Sequence, residues 1–291
     1  GITYKLPDEV ENLILTGSSP LDGTGNVQAN LLRGNAGNNV LQGFLGDDVL
    51  EGGSGNDRLT IIAGNALFNA GEGTDTLAGC AKAEMFIGGP DNDTITSGAG
   101  NDIICFNTGD GQDTVVTGGA GGGTLSLGGA FAYSELTLSQ SSSDLVLAMG
   151  PIERITFKDW YAATPSRPVV NLQVIAEAMT GFNAGGSDPL LDQKVENFDF
   201  GGLVGAYDAA RGVVPPLTNW ALTNALARFQ MAGSDTAALG GDLAYHYGKA
   251  GTLAGIGLTA AQEVIGNASF GRQAQTLQAL DILEKGSIRL S

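Results

Sequence analysis

Gly52-Gly-Ser-Gly-Asn-Asp-Arg-Leu-Thr60 sets a nine-residue register that runs without insertion from Gly25 to Cys105. Cut every nine residues, the eighth position reads Leu32, Leu41, Leu50, Leu59, Phe68, Leu77, Phe86, Ile95 and Ile104. All are large and apolar. Position six reads Asn30, Asn39, Asp48, Asp57, Ala66, Asp75, Glu84, Asp93 and Asp102, acidic in six of nine repeats. Position four is mostly Gly, which tolerates the positive φ of a tight turn.

The pattern implies a short extended piece at positions seven to nine, with the eighth residue inward, followed by a six-residue turn. Two units make one 18-residue coil. Stacked coils form parallel strands around a Leu/Ile/Phe ladder that no single repeat can bury alone. Stacking also sets position-six carboxylates about 5 Å apart, the spacing of neighbouring strands. At that distance two bare charges repel by about 1 kcal/mol in water and about 3 kcal/mol at an effective dielectric of 20. A cation between them reverses the sign, and carboxylates with turn carbonyls form an oxygen cage that suits Ca²⁺ better than Zn²⁺. The competing reading is a Gly-rich solenoid without metal.

The composition agrees. The chain has 291 residues, 46 of them Gly, and a net charge of −17. Such a Gly content is neither that of an ordinary α/β enzyme nor, lacking a three-residue period, that of collagen. Hydrophobic residues at 42% exclude a disordered acidic chain. The charge argues against binding nucleic acid or anionic lipid. Residues 1–115 hold 16 acids against 4 bases, a net of −12, so the imbalance is concentrated in the repeats. No apolar run is long enough for a transmembrane helix. No signal peptide is recognised, and a start at Gly1 points to a part of something larger. Cys80 and Cys105 are either free thiols or one pair.

Gly52 to Thr60 resembles the repeats-in-toxin (RTX) nonapeptide G-G-x-G-x-D-x-U-x, with U large and apolar. Gly43 to Glu51, Gly88 to Thr96 and Ser97 to Cys105 are similar. Phe106 to Val115 resembles a closing variant shifted by two residues, and Glu11 to Gly17 the strand that precedes such arrays. The resemblance implies a β + α chain: a right-handed parallel β-roll (β-solenoid) at 1–115, a β-strand cap at 116–167 and a mainly α-helical C-terminal region at 168–291.

It also implies a ligand map, in which position six of two successive same-edge turns holds each ion. Carbonyls of positions two and four of the first turn and one and three of the second complete the cage. The first column carries Asn39, Asp57, Asp75, Asp93 and, through the shifted turn, Asp113. Its carbonyl donors are Asn35 and Gly37 with Gly52 and Ser54, then Gly53 and Gly55 with Ala70 and Glu72. Gly71 and Gly73 with Gly88 and Pro90 follow, and then Gly89 and Asp91. The second column carries Asn30, Asp48, Glu84 and Asp102 but is broken at Ala66. Lys82, in place of the central Gly, either substitutes for a cation beside Glu84 or is simply solvated. The expectation is three to five Ca²⁺ ions, mostly in the first column.

Alternating apolar residues over 124–160 predict strands, with a hairpin loop at Ser141–Ser143 and Trp160 and Tyr161 in a capping core. Gly118 to Gly123 reads as a linker. Beyond Pro165 and Pro168 the spacing predicts helices over Val169–Met179, over Thr218–Phe229 after Pro215-Pro216, after a capping box at Thr259-Ala-Ala-Gln262, and over Gln273–Leu283. His246 is a lone histidine, and no hydrolase, metalloprotease or phosphate-loop motif occurs, so no enzyme is expected. Asp188-Pro189 is an acid-labile bond type that some RTX relatives cleave, or an ordinary turn.

The resemblance implies a secreted or surface-located bacterial protein, exported by type I secretion machinery that reads a signal within about 230–291. Two alternatives stay open. In one, residues 171–291 bind a cell-surface partner or another copy through Tyr245, Tyr247 and apolar Ala/Leu faces. In the other, the chain is the accessory region of a secreted lipase or protease.

Overall fold

The computed structural model describes residues 2–116, 119, 121–213, 217–286 and 288–290. Pro215-Pro216 and parts of 118–123 lie outside the described residues. Two long sheets face each other, with 11 and 10 strands. Successive strands of the repeat region alternate between them, giving a β-solenoid of about seven parallel turns. The 18-residue coil is visible in the register. In the first sheet Leu41 pairs with Leu59, Leu59 with Leu77, Leu77 with Ile95, and Ile95 with Val115. In the second, Leu32, Leu50, Phe68, Phe86 and Ile104 are stacked in turn. All nine position-eight residues are buried. Phe68 and Phe86 stack face to face at 4.9 Å.

The cap follows the expected strands. Gly123–Gly128 continues the second sheet beside Ile103–Asn107. Glu153–Phe157 continues the first beside Gln112–Val116, and Leu136–Ser141 and Asp144–Met149 add antiparallel strands to it. Ser142 takes φ 56° in the hairpin turn. Trp160 packs edge-on to Phe157 and Phe200 in the cap core.

Beyond residue 168 the second sheet goes on. Val169–Val174 pairs parallel with Gly123–Gly128, then Val195–Asp199 and Gln230–Ser234 add antiparallel strands. The helix expected over Val169–Met179 is therefore a strand followed by a 3₁₀ turn, Ala176–Ala178. Its β-branched Val169, Val170 and Val174 suit an extended strand paired on both sides. Within Thr218–Phe229, Trp220–Ala221 joins the first sheet, and only Leu226–Phe229 is α-helical.

The helices are α1 (Phe200–Val213), α2 (Leu226–Phe229), α3 (Gly241–Ala250), α4 (Leu258–Ile265) and α5 (Leu280–Leu283). α4 begins two residues earlier than the expected capping box implies, with Gly257 in place of Thr259 at its cap and no side-chain cap bond there. The Gln273–Leu283 segment holds a short strand, Gln275–Thr276, before α5.

α3 and α4 lie against the outer face of the second sheet, and Leu283 of α5 joins the same apolar cluster. There Leu31, Val49, Leu67, Met85 and Ile103 form a stripe with Ile87 and Cys105, packed against Leu243, Tyr247, Ile256, Val264, Ile265 and Phe270. The stripe is position seven of every second repeat. Its counterparts in the first sheet are Val40, Arg58, Thr76 and Thr94. That 18-residue asymmetry was present in the sequence and marks the face that the tail covers.

Candidate metal centre

The turns of the first column stand above one another along one edge of the roll. Gly53, Gly55, Gly71, Gly73 and Gly89 all have φ near +100° to +125°, so turn carbonyls of positions two and four can point along the column. A Cβ on Gly71 would come 2.0 Å from the Gly53 carbonyl oxygen, and one on Gly73 2.1 Å from that of Gly55. Asp91 stands at position four with φ 89°, a strained setting for a side-chain-bearing residue.

Position six forms a hydrogen-bonded ladder. The amide of Asn39 donates to Asp57 Oδ1 (2.7 Å) and that of Asp57 to Asp75 Oδ1 (2.6 Å). Those of Asp75 and Asp93 donate to Asp93 Oδ1 (2.8 Å) and Asp113 Oδ1 (2.9 Å). The last step spans 20 residues instead of 18, so the two-residue shift puts Asp113 in line with the column.

The second oxygens behave differently. Oδ2 of Asp57, Asp75 and Asp93 is buried and has no hydrogen-bond partner. A Cβ on Gly52 would meet Asp57 Oδ2 at 2.3 Å and the Ala70 carbonyl oxygen at 2.4 Å; on Gly34 it would meet the Gly52 carbonyl oxygen at 2.1 Å and Asn39 Oδ1 at 2.4 Å. Oxygens from adjacent turns thus crowd a niche that only Gly leaves open.

A buried carboxylate oxygen without a donor is costly, which makes it a sign of a missing partner. Burial pushes Asp57 up to about 7, Asp75 to about 6, Asp93 to about 9 and Asp113 to about 8; the charge of Asp113 adds to the shift of Asp93. The donors are all oxygen, the set a hard cation takes. Among the described residues no three His, Cys, Asp or Glu side chains cluster as a metal site. Any cation in the column would be held by two side chains with backbone carbonyls.

The second column is interrupted. Asp48 Oδ1 accepts the Asn30 amide (2.8 Å), and Asp102 Oδ1 that of Glu84 (3.1 Å). Between them Ala66 offers no oxygen, and the Asp48 amide turns to the Asn65 carbonyl (3.0 Å). Asp48 Oδ2 and Glu84 Oε2 remain buried and unpartnered. Burial raises Asp48 to about 7, Asp102 to about 6 and Glu84 to about 9. Lys82 is exposed and makes no ion pair with Glu84; the Cys80 thiol donates to Glu84 Oε1 instead (2.9 Å). Both cysteines are free.

Some site features were not read from the sequence. Position-five Asn side chains add a second ladder: Asn38 Oδ1 accepts the Asn56 amide, Asn56 Oδ1 that of Thr74, and Asn92 Oδ1 that of Gln112. The recurrence of Asn at that position was its signal. Asp110, in the closing turn, accepts the Tyr247 hydroxyl at 2.9 Å on both oxygens, a contact no local pattern could foretell. His246 lies beside Tyr245 with Nε2 unpartnered, and burial lowers its pKa. Asp188-Pro189 sits in a turn closed by the Leu191 amide on the Asp188 carbonyl.

The sequence matches the RTX calcium-binding nonapeptide repeat family, in four copies, over residues 24–59 and 81–115. No curated protein matches the chain. The interval between the matched segments contains Ala66, and Ile61 in place of the first Gly, where the second column lapses. The solenoid register, the oxygen-lined turns and the family match agree: residues 24–59 and 81–115 of this chain are RTX calcium-binding nonapeptide repeats, and the intervening coil continues the same solenoid.

Proposed function

We propose that the first column binds Ca²⁺ through Asn39, Asp57, Asp75, Asp93 and Asp113 with the turn carbonyls assigned above, and that the second binds fewer ions, around Asn30/Asp48 and Glu84/Asp102. Three to five ions are expected. The observation that carries this reading is the row of buried, unpartnered Oδ2 atoms on Asp57, Asp75 and Asp93. Bound Ca²⁺ neutralises their mutual repulsion, so its binding free energy becomes folding free energy of the stacked coils.

Such a module suits a larger exoprotein that passes a type I secretion channel unfolded where Ca²⁺ is scarce and folds outside where it is abundant. No described helix is long and apolar enough to cross a membrane. A calcium titration followed by circular dichroism tests the reading. A gain of β signal at Ca²⁺ levels where Mg²⁺ gives none is expected; no gain overturns it. The surface-binding alternative draws on Tyr245 and Tyr247, and both are buried within this chain.

A further inference from the structure

Outside the repeats the chain buries another carboxylate without a counter-charge. Glu196, on the strand Val195–Asp199, is fully buried. It pairs with Val174 on one neighbouring strand and with Gly233 on the other, and it shares a face with the core residue Phe198 two positions on. Gln230 Nε2 donates to its Oε2 at 2.8 Å and to the Pro189 carbonyl at 2.7 Å. Oε1 has no hydrogen-bond partner.

What surrounds that atom is oxygen. A Cβ on Gly233 would stand 2.8 Å from Glu196 Oε1, 3.0 Å from its Oε2 and 2.9 Å from Gln193 Oε1. Oxygens of two side chains thus border one small space over the Gly233 backbone. The ring beyond it is acidic. Burial pushes Glu196 up to about 7, and the charges of Asp192, Asp235 and Asp188 add to that rise. The ion pairs among the described residues include none of these four carboxylates, and Lys194 Nζ lies 3.8 Å from Glu177 instead. A buried carboxylate oxygen with neither donor nor counter-ion, ringed by like charge, is among the costliest arrangements a fold can hold.

The geometry points to a hard divalent cation site, for Ca²⁺, at Glu196 and Gln193, separate from both columns of the roll. Both Glu196 oxygens and Gln193 Oε1 are the inner donors. Ca²⁺ takes about six to eight oxygens, water among them, whereas Zn²⁺ prefers nitrogen and sulfur. Among the described residues no three acidic side chains meet at one point, so Asp192, Asp235 and Asp188 act from the ring, through water and by charge. The turn over the site is closed by the Asn183 amide on the Leu191 carbonyl and the Gly185 amide on the Asp192 carbonyl. An ion here clasps that turn to Val195–Asp199 and Gln230–Ser234, strands that end the second sheet.

Equilibrium dialysis of the full chain against CaCl₂, with hydrogen exchange of peptides within 182–197, tests the site. Glu196→Gln keeps the size of the side chain and an acceptor for Gln230 but removes the charge. Gly233→Ala keeps the charge and puts a methyl group where the ion belongs. Each variant should bind one Ca²⁺ fewer than the parent chain. Exchange within 182–197 in CaCl₂ should rise about tenfold, with the calcium-induced circular dichroism of the roll unchanged. If Glu196→Gln disturbs the coils, Gly233→Ala decides.

An unchanged ion number in both variants overturns the site and leaves Glu196 a buried acid that keeps its proton. Loss of every ion in both variants overturns it as a site separate from the roll. The columns are judged apart: a parent chain that binds a single Ca²⁺, lost in both variants, refutes the columns and upholds this site.

Discussion

The two edges of the roll are built from one nine-residue unit, yet they solve the same problem differently. Along the first column every turn from Asn39 to Asp113 passes its amide to the next position-six side chain, and three carboxylate oxygens are left facing niches without donors. Along the second, Ala66 breaks the ladder, and the strand that begins there carries Phe68, stacked on Phe86. Both edges bury carboxylate oxygens without donors, three along the first column and Asp48 Oδ2 and Glu84 Oε2 along the second, but only the second column is interrupted, and there the inward Phe68–Phe86 stack still holds the coils together. A repeat array can thus lose a ligand without losing a coil, provided the inward ladder is intact.

The broadest test of this contrast is pH. The folded carboxylates of the first column sit above their usual value of 3.8, between about 6 and 9. The cation-free fold therefore binds more protons than the unfolded chain, so their contribution is fully present below about pH 4 and is lost as pH rises through 6 to 9. In EGTA, β signal should appear on acidification from pH 8 to 5. In CaCl₂, acidification should instead raise the calcium midpoint, because protons compete for the same oxygens. Circular dichroism that is flat with pH in EGTA would remove the first column's charge from the argument.

Phe68→Ala probes the inward ladder beside the break at Ala66. Losing a buried aromatic that stacks across coils should cost about 3–5 kcal/mol, read by denaturant unfolding at saturating Ca²⁺. Asp75→Ala comes next. Asp75 stands between two successive sites of the intact column, and its loss should cost about 2–3 kcal/mol in CaCl₂. In EGTA the cost should be much smaller, since a buried carboxylate is removed along with the bond it accepts. Ala66→Asp should have the smallest effect: one or two additional ions by equilibrium dialysis, with a modestly lower calcium midpoint. If it leaves ion number unchanged, the break in the second column lies in the backbone around Ile61 and not in the missing side chain.

Much of the roll was legible because the determinants are local and periodic. Leu32 through Ile104 gave the inward face, and the Asp93-to-Asp113 shift was readable from the closing turn. The tail was less legible. Val169–Met179 has apolar spacing that a helix or a strand can use, and pairing with Gly123–Gly128, some 45 residues away, decided for the strand. The position-seven stripe was visible in principle, but a register cut at nine residues averages away an asymmetry whose period is 18. Lys82 could have served either role beside Glu84; the thiol of Cys80, two residues earlier, reaches the carboxylate instead.

The anchoring of the tail also fixes an order of events. Neighbouring coils bond across 18 residues, whereas Tyr247 meets Asp110 across 137 and Asn65 meets Ile265 across 200. Closing the longest of these loops from an unfolded chain costs about 2 kcal/mol more entropy than closing one coil. Until the coils have formed, that closure has no stripe to reward it. The roll should therefore nucleate and propagate first, with the tail arriving as a late kinetic phase and leaving as the earliest step of unfolding.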